Sequence, residues 1–314
     1  MAARRRFPAN LRRIAMASVS HSSAWPTLVE LMLSEKTRNF GWQPDLPDHR
    51  DYSPVSTIAT TALGNLKLRS RKSADLPARV DWREYCGPIE DQEDLATSTA
   101  HACVALIQQF ERRSTGRLLR LSRLFVHRAG RRFPKCTGDD DLSIRAVLKG
   151  IVQFGVPPER YWPYDAAKLG CEPDPFTYSF QRGYRTLRYV RLDGQDASGE
   201  HLLLRLKVFL AAGFSFAFGF PLCSSVNHDG DIPSPTSIDT VLGGHSVTAV
   251  GYDDKRRIRS DKGALLVRNS WGHQWGDRGF GWLPYAYVEQ RLARDFWTLL
   301  KPAWLRSGEF KFPR

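Results

Sequence analysis

Three separated stretches of the sequence carry residues that could form a nucleophile, a base and an orienting amide. Ser98 lies in "DQEDLATSTA", six residues after Gln92, where a helix is expected to begin. His245 follows two glycines at the start of an apolar run, and Asn269 opens "NSWGHQWGDRGFG". An imidazole can remove a hydroxyl proton during attack on a carbonyl, and amides can hold the imidazole or bind the oxyanion. These residue types indicate nucleophilic acyl-transfer chemistry.

The order and content of these stretches resemble the papain-like C1 cysteine peptidases, in particular bacterial members with an upstream segment similar to "GWQPDLPDHRDYSP". The resemblance runs from about Gly41 to about Leu300. Its most specific part is the Asn-Ser-Trp-Gly-x-x-Trp-Gly-x-x-Gly pattern from Asn269 to Gly279. The resemblance implies an α+β, two-lobed fold with a helical left lobe, an antiparallel β-barrel-like right lobe and a cleft between them.

The resemblance also assigns roles to residues of the cleft. His245 takes the place of the family's imidazole, Asn269 orients it, and Gln92 is the oxyanion-hole side chain. Trp271 would shield the bond between Asn269 and His245 from water. Ser98 stands where the family has its nucleophilic cysteine. Further residues of the substrate cleft are Asp141, Gly243, Gly244 and Trp271. An acidic run, Asp139 to Asp141, would favour basic peptide ligands if it lines the cleft, but the default interpretation is an ordinary solvated loop.

Serine in place of cysteine changes the chemistry of such a site. A helix N-terminus and a nearby imidazolium can lower a thiol pKa from about 8.5 to roughly 3 to 7.5, but a hydroxyl keeps no resting charge. Two glycines usual in the family's loop are also replaced, by Glu93 and Ala96. Glu93 would place a negative charge beside the developing oxyanion.

Three explanations of Ser98 follow. One is a laboratory replacement of cysteine in a working peptidase, which the changes at Glu93 and Ala96 disfavour. The second is natural loss of peptidase activity, with the cleft kept for binding a peptide or protein; this is the interpretation we adopt. The third is an active Ser/His/Asn hydrolase or acyl-transfer enzyme that uses Ser98. Structural packing alone could also account for His245, Asn269 and Trp271.

No other residue is a strong candidate for chemistry. Cys103 is about 140° around the helix from Ser98 and is expected in the core. Cys86 is the one thiol expected near the rim of the cleft. His101 and His273 lie beside the site motifs without the spacing of a metal site, so neither a metal nor a cofactor is predicted.

Composition sets the broader limits. The 314 residues carry a net charge of +13, but the basic residues are either in an acid-free start segment or scattered among acids, which argues against a nucleic-acid partner. No apolar run is long enough to span a membrane, and the basic start lacks the apolar core of a secretory signal. Five widely spaced cysteines fit a reducing compartment, so a cytoplasmic location is expected. Oligomeric state is not indicated.

Helices are predicted over 96–113, 119–130, 142–155 and 201–213, with Ser98 or Thr97 capping the first. Strands are predicted over 214–220, 245–254 and 263–271. The predicted organisation is a basic leader (1–40), an extension packed on the domain (41–75), a papain-like domain (76–300, with the helical lobe about 92–165 and the β lobe about 166–300) and a C-terminal tail (301–314).

Overall fold

The computed structural model describes residues 40–64, 72–133, 141–194 and 198–312. Asp139 and Asp140 of the acidic run, and all of the predicted leader except Phe40, lie outside these ranges. Among the described residues, no helix is both long enough and apolar enough to cross a bilayer.

Four of the seven α-helices in the described ranges lie before residue 155. The seven are α1 (Thr57–Leu63), α2 (Ser98–Thr115), α3 (Arg123–Gly130), α4 (Ile144–Phe154), α5 (Gly199–Ala211), α6 (Ala286–Glu289) and α7 (Pro302–Leu305). The four helices predicted from apolar spacing correspond to α2, α3, α4 and α5. Serine hydroxyls cap α3, α4 and α5 by accepting from backbone amides of the first turn, as the N-cap preference for serine predicts.

The strands form one antiparallel sheet. They are β1 (Arg79–Asp81), β2 (Arg188–Arg191), β3 (Phe216–Cys223), β4 (Val241–Ile258), β5 (Asp261–Arg268), β6 (Phe280–Pro284) and β7 (Arg294–Leu300). Their order is β2-β7-β3-β4-β5-β6, with β1 paired to β4, and this path does not close into a barrel over the described residues. Strands β3, β4 and β5 correspond to the predicted runs, and β3 is buried along its whole length.

Helix α2 joins the helices to the sheet. Nearly all of its residues are buried, and it packs against α3 and α4 on one side and β4 on another. Gly116, with φ of 74°, ends it in the left-handed conformation that favours glycine. The predicted side-chain cap was wrong: Thr97 is the N-cap residue but makes no capping bond, because its hydroxyl bonds the Tyr164 hydroxyl at 2.7 Å instead.

An extended N-terminal segment, residues 40–52, crosses between the helices and the sheet; we call it the strap. Its Trp42 is fully buried in the core and pairs with Leu142 in a parallel β-bridge. At its other end Tyr52 bridges to Val190 of β2. The strap is therefore part of the packed interior and couples the two sides of the fold.

We expect Trp42→Ala to lower the free energy of unfolding by about 3–5 kcal/mol, the usual cost of removing a large buried aromatic ring. Urea unfolding followed by circular dichroism measures it. Phe176→Ala, which truncates a ring that is 54% exposed, is the matched control and should change stability by no more than about 0.5 kcal/mol. Equal effects of the two substitutions would show that the strap is not part of the folded core.

Candidate active site

Ser98 is the first residue of α2 and is completely buried. Its Oγ accepts a hydrogen bond from the backbone N–H of Ser246 at 3.2 Å. Since Ser246 follows His245 on β4, this bond joins the start of the helix to the strand that carries the imidazole. The serine and the histidine are thus neighbours across the junction of helix and sheet.

The imidazole of His245 is held by the amide of Asn269, which follows the end of β5. His245 Nε2 lies 2.8 Å from Asn269 Oδ1. The N–H of Ser270 donates to the same Oδ1 at 2.8 Å, which fixes that atom as the oxygen. Nε2 therefore carries the proton, and Nδ1 is an unprotonated acceptor. Nδ1 has no hydrogen-bond partner among the described residues.

Aromatic rings enclose His245. The Trp271 ring stacks on it at 4.6 Å between centroids and 28° between planes. Phe220 and Phe40 meet it edge-on at 5.9 and 6.4 Å. This burial lowers the pKa of His245 to about 4, although the bond to Asn269 acts in the opposite direction. The ring is therefore neutral at physiological pH.

Gln92 is fixed by bonds at both ends of its side-chain amide. Its Oε1 accepts from the Ser270 hydroxyl at 2.6 Å. Its Nε2 donates to the carbonyls of Leu95 at 2.8 Å and Phe40 at 3.2 Å. Both amide protons are thus already engaged, one of them by the strap.

The strap lies directly over these residues. The Trp42 N–H donates to the carbonyl of Gly244 at 3.2 Å, and the Gly41 N–H donates to Asp141 Oδ1 at 2.7 Å. The hydroxyl of Thr99, on the first turn of α2, donates to the Gly41 carbonyl. The strap therefore bonds to both walls of the site, and its contacts contribute to the complete burial of Ser98 and His245.

Gly41 is the residue of the strap closest to the start of α2. Its φ is 111°, and a Cβ built on it would lie 2.6 Å from Ser98 N and 2.7 Å from the carbonyl carbon of Ala96. Both atoms belong to backbone and cannot rotate away. Only glycine fits at this point of the strap.

Residues predicted to line the cleft are found in different settings. Asp141 and Gly244 contact the strap, Gly243 lies beside Gly244 on β4, and Trp271 covers His245. Glu93 has φ of 53°, a conformation that glycine adopts more easily, and its side chain is exposed. Among the described residues, no hydrogen bond or ion pair joins the Glu93 carboxylate to Gln92, so the expected repulsion of an oxyanion stays a prediction.

Three of the other residues considered for chemistry are buried, whereas His273 is exposed and its Nε2 lies 3.0 Å from the Gln274 amide nitrogen. Cys103 is in the core, as predicted, and burial raises its pKa. Cys86, expected near the rim, is also buried, and burial raises its pKa to about 11. His101 Nδ1 bonds the Thr97 carbonyl at 3.0 Å, and burial lowers the pKa of the ring to about 3. The described residues contain no group of three or more His, Cys, Asp or Glu arranged to hold a metal.

Sequence reasoning missed the residues that complete the site: Phe40, Gly41, Trp42, Ser246 and Ser270. The signal that could have found the first three is the sequence "FGW", two aromatic residues around a glycine in an otherwise polar segment. Ser246 and Ser270 are adjacent in sequence to His245 and Asn269, but nothing in their type reveals which atoms they bond.

The amino-acid sequence is similar to those of known proteins. A model of the papain family of cysteine proteases matches residues 76–290. An uncharacterized peptidase C1-like protein of Acanthamoeba polyphaga mimivirus is 31% identical over 283 residues, which are 84% of this chain and 87% of that protein. Mexicain from Jacaratia mexicana is 29% identical over 210 residues, or 65% of this chain and 86% of mexicain.

Solved structures share the fold. Xylellain, a cysteine protease from Xylella fastidiosa, superposes with a TM-score of 0.68 at 29% identity, covering 90% of this chain and all (100%) of xylellain. The digestive procathepsin L 3 of Tenebrio molitor larval midgut, at 19% identity, gives a TM-score of 0.56 over 82% of this chain and 75% of that one. The predicted papain-like α+β fold is confirmed.

The low pKa of His245 predicts a pH dependence of stability. The folded state holds His245 neutral down to about pH 4, whereas the unfolded ring protonates near 6.5. Between these values the unfolded state binds more protons, so stability falls as the pH falls through this window. His245→Gln should flatten this slope, measured as the urea midpoint at several pH values. An unchanged slope would contradict the assignment.

Displacing the strap should raise the pKa of His245, because the ring then regains water. We expect an NMR titration of histidine-labelled full-length protein to give a value near 4 for the wild type and a value closer to 6.5 for Gly41→Val. Gly183→Val is the matched control, since a Cβ at Gly183 meets nothing within 4 Å. A pKa near 4 in Gly41→Val would mean that the strap does not cause the burial.

Proposed function

Because the chain belongs to the papain family of cysteine proteases, we propose that it is a catalytically silent member that binds a peptide or protein segment in its cleft. The observation that carries this proposal is the hydrogen bonding of Ser98. Its Oγ accepts from the Ser246 N–H and makes no hydrogen bond to His245 Nδ1 among the described contacts. General-base catalysis requires Ser98 to donate to Nδ1 directly or through one water, and this arrangement supplies no direct bond.

The change from sulfur to oxygen supports the same conclusion. A thiolate and an imidazolium can form a resting ion pair, but a serine hydroxyl stays neutral and must lose its proton during attack. The shorter C–O bond also leaves the oxygen further from an acyl carbon placed for sulfur. Errors of about 1 Å in such a position cost about a hundredfold in rate.

The oxyanion loop gives a second line of support. Gln92, proposed as the oxyanion donor, has both amide protons bonded to carbonyls. Glu93 and Ala96 stand where the resemblance expects glycines, and Glu93 adds a negative charge next to the donor in sequence. Each change opposes stabilisation of an oxyanion.

The alternative function is an active Ser/His/Asn hydrolase or acyl-transfer enzyme. One observation favours it: His245 Nδ1 is an unprotonated acceptor with no hydrogen-bond partner in the part of the chain that the structure describes, the state that a general base requires. In this mechanism Ser98 turns toward Nδ1 and attacks the acyl carbon, His245 acts as base and then as acid, and Asn269 orients the ring. Gln92 and the Ser98 N–H hold the oxyanion.

For the cellular setting we propose the cytoplasm. Cys86, Cys103, Cys171 and Cys223, the described cysteines, are all free thiols, which fits a reducing compartment.

We expect the wild type and Ser98→Ala to show the same background rate on mixed peptide and ester substrates, because Ser98 lacks its base. The assay is repeated in the Gly41→Val background, so that a lack of activity cannot be attributed to the strap covering the site. Turnover by the wild type that disappears in Ser98→Ala would overturn the proposal and establish the alternative.

Ser98→Cys separates loss of the nucleophile from loss of the whole site. We expect it to remain inactive in peptide hydrolysis, since Glu93, Ala96 and the strap still oppose catalysis. Adding Glu93→Gly and Ala96→Gly to Ser98→Cys and Gly41→Val tests the loop directly. High activity in Ser98→Cys alone would show that the loop and the strap do not hinder catalysis.

A further inference from the structure

The strap is a peptide already seated in the cleft, so its contacts describe the ligand that the cleft fits. This reasoning rests on the proposed function, in which the cleft binds a peptide. We infer that the external ligand is an acidic peptide segment that carries a glycine followed by a large aromatic residue, with carboxylates at the positions of Asp45 and Asp51. It binds in place of the strap.

The glycine is required by backbone contacts. At Gly41 a side chain would overlap Ser98 N and the carbonyl group of Ala96, neither of which can move without unwinding the start of α2. The backbone N–H groups of Gly41 and Trp42 donate to Asp141 and to the Gly244 carbonyl. These are backbone bonds, so they require no particular side chain on the ligand. A ligand can therefore seat here only where it has glycine.

The next residue enters a slot made for a flat ring. A Cβ at Gly219 on β3 would lie only 1.9 Å from the Trp42 indole, so the absence of a side chain at Gly219 creates the slot. Trp42 fills it and is fully buried. A small side chain would leave this space empty, which is costly in a close-packed interior.

The far end of the cleft is basic. Arg145 on α4, whose side chain is 8% exposed, reaches Asp45 at 2.7 Å and Asp51 at 2.5 Å, and also donates to the Leu46 carbonyl at 2.7 Å. Among the described residues these two strap aspartates are the only carboxylates paired with Arg145. The guanidinium would lose its counter-charges if the strap left without a replacement.

Arg191 extends this basic end. Its Nη2 donates to the Asp45 carbonyl at 3.2 Å, and its Nη1 lies 3.7 Å from Asp51 Oδ2. Unlike Arg145, it also has partners within the domain, Asp193 at 2.9 Å and Asp295 at 2.7 Å. Arg145 is therefore the residue that selects a negatively charged ligand, since an unpaired buried charge is strongly unfavourable.

This inference differs from the basic ligand that the acidic run would favour if it lined the cleft. That alternative depends on Asp139 to Asp141, of which Asp141 alone is described. Its Oδ1 accepts from a backbone N–H of the strap, a bond that any peptide can supply. The side-chain charges of the strap are instead met by Arg145 and Arg191.

The test uses a fluorescein-labelled peptide with the sequence of residues 39–54 and full-length Gly41→Val, whose own strap cannot seat. Fluorescence anisotropy should show binding to Gly41→Val and at least tenfold weaker binding to the wild type, whose tethered strap competes at high effective concentration. Circular dichroism confirms folding. If Gly41→Val unfolds, full-length Asp45→Asn/Asp51→Asn, which weakens only the anchor of the strap, replaces it.

Selectivity is tested on both partners. A strap peptide with both aspartates changed to asparagine should bind Gly41→Val protein at least tenfold more weakly than the unchanged peptide does. The unchanged peptide should likewise bind at least tenfold more weakly when the Gly41→Val protein also carries Arg145→Gln. Arg160→Gln, which removes an exposed arginine, is the matched control for net charge and should bind normally. Gly219→Ala in the protein should abolish binding, because its Cβ takes the place of the aromatic ring.

A peptide with lysine at both aspartate positions that binds as tightly as the strap sequence would overturn the inference, as would failure of folded Gly41→Val to bind the strap peptide. Neither result bears on catalysis, so the silence of Ser98 would stand. Cleavage of a bound peptide, lost in Ser98→Ala, would instead refute the proposed function and leave the ligand class intact.

Discussion

The contact between Gly41 and the first turn of α2 governs how the site is enclosed. It places the strap's backbone against the Ser98 N–H, and from that point Trp42 enters the core while Phe40 reaches the imidazole. Because Gly41 has no side chain, the strap can approach closely enough for Trp42 to fill the slot beside Gly219 and for the Phe40 carbonyl to accept from Gln92. Burial of Ser98 and His245 follows from this seating as much as from the fold of the domain.

Local patterns in the sequence were sufficient to predict the helix and the two strands that position the site. The apolar spacing of α2 and the glycine-bounded runs of β4 and β5 predicted where Ser98, His245 and Asn269 lie in the chain. Strands β1, β2, β6 and β7 were not predicted, since each is short or follows a turn-rich segment and is defined by pairing with distant strands. Pairing partners are a property of the tertiary fold, which periodicity does not encode.

The strap was predicted only as an extension packed on the domain, and its path could not be read from its residues. What places it is a set of bonds to backbone atoms of Leu142 and Gly244 and an ion pair with Arg145, all far away in sequence. For the same reason Thr97 failed as a cap: Tyr164, which lies 67 residues further along, competes for its hydroxyl. Long-range partners override the local preference in both cases.

A serine at the start of α2 and a strap over it are physically compatible in a way that a cysteine would not be. A thiolate–imidazolium pair carries two charges, and burying them beneath the strap, whose Phe40 ring contacts the imidazole, would impose a large desolvation penalty. Ser98 and a neutral His245 carry none, so the aromatic cover costs little electrostatically. A neutral serine and a neutral imidazole are therefore electrostatically compatible with a covered site. The absence of a resting charge at Ser98 and His245 and the cover that the strap provides are thus mutually consistent.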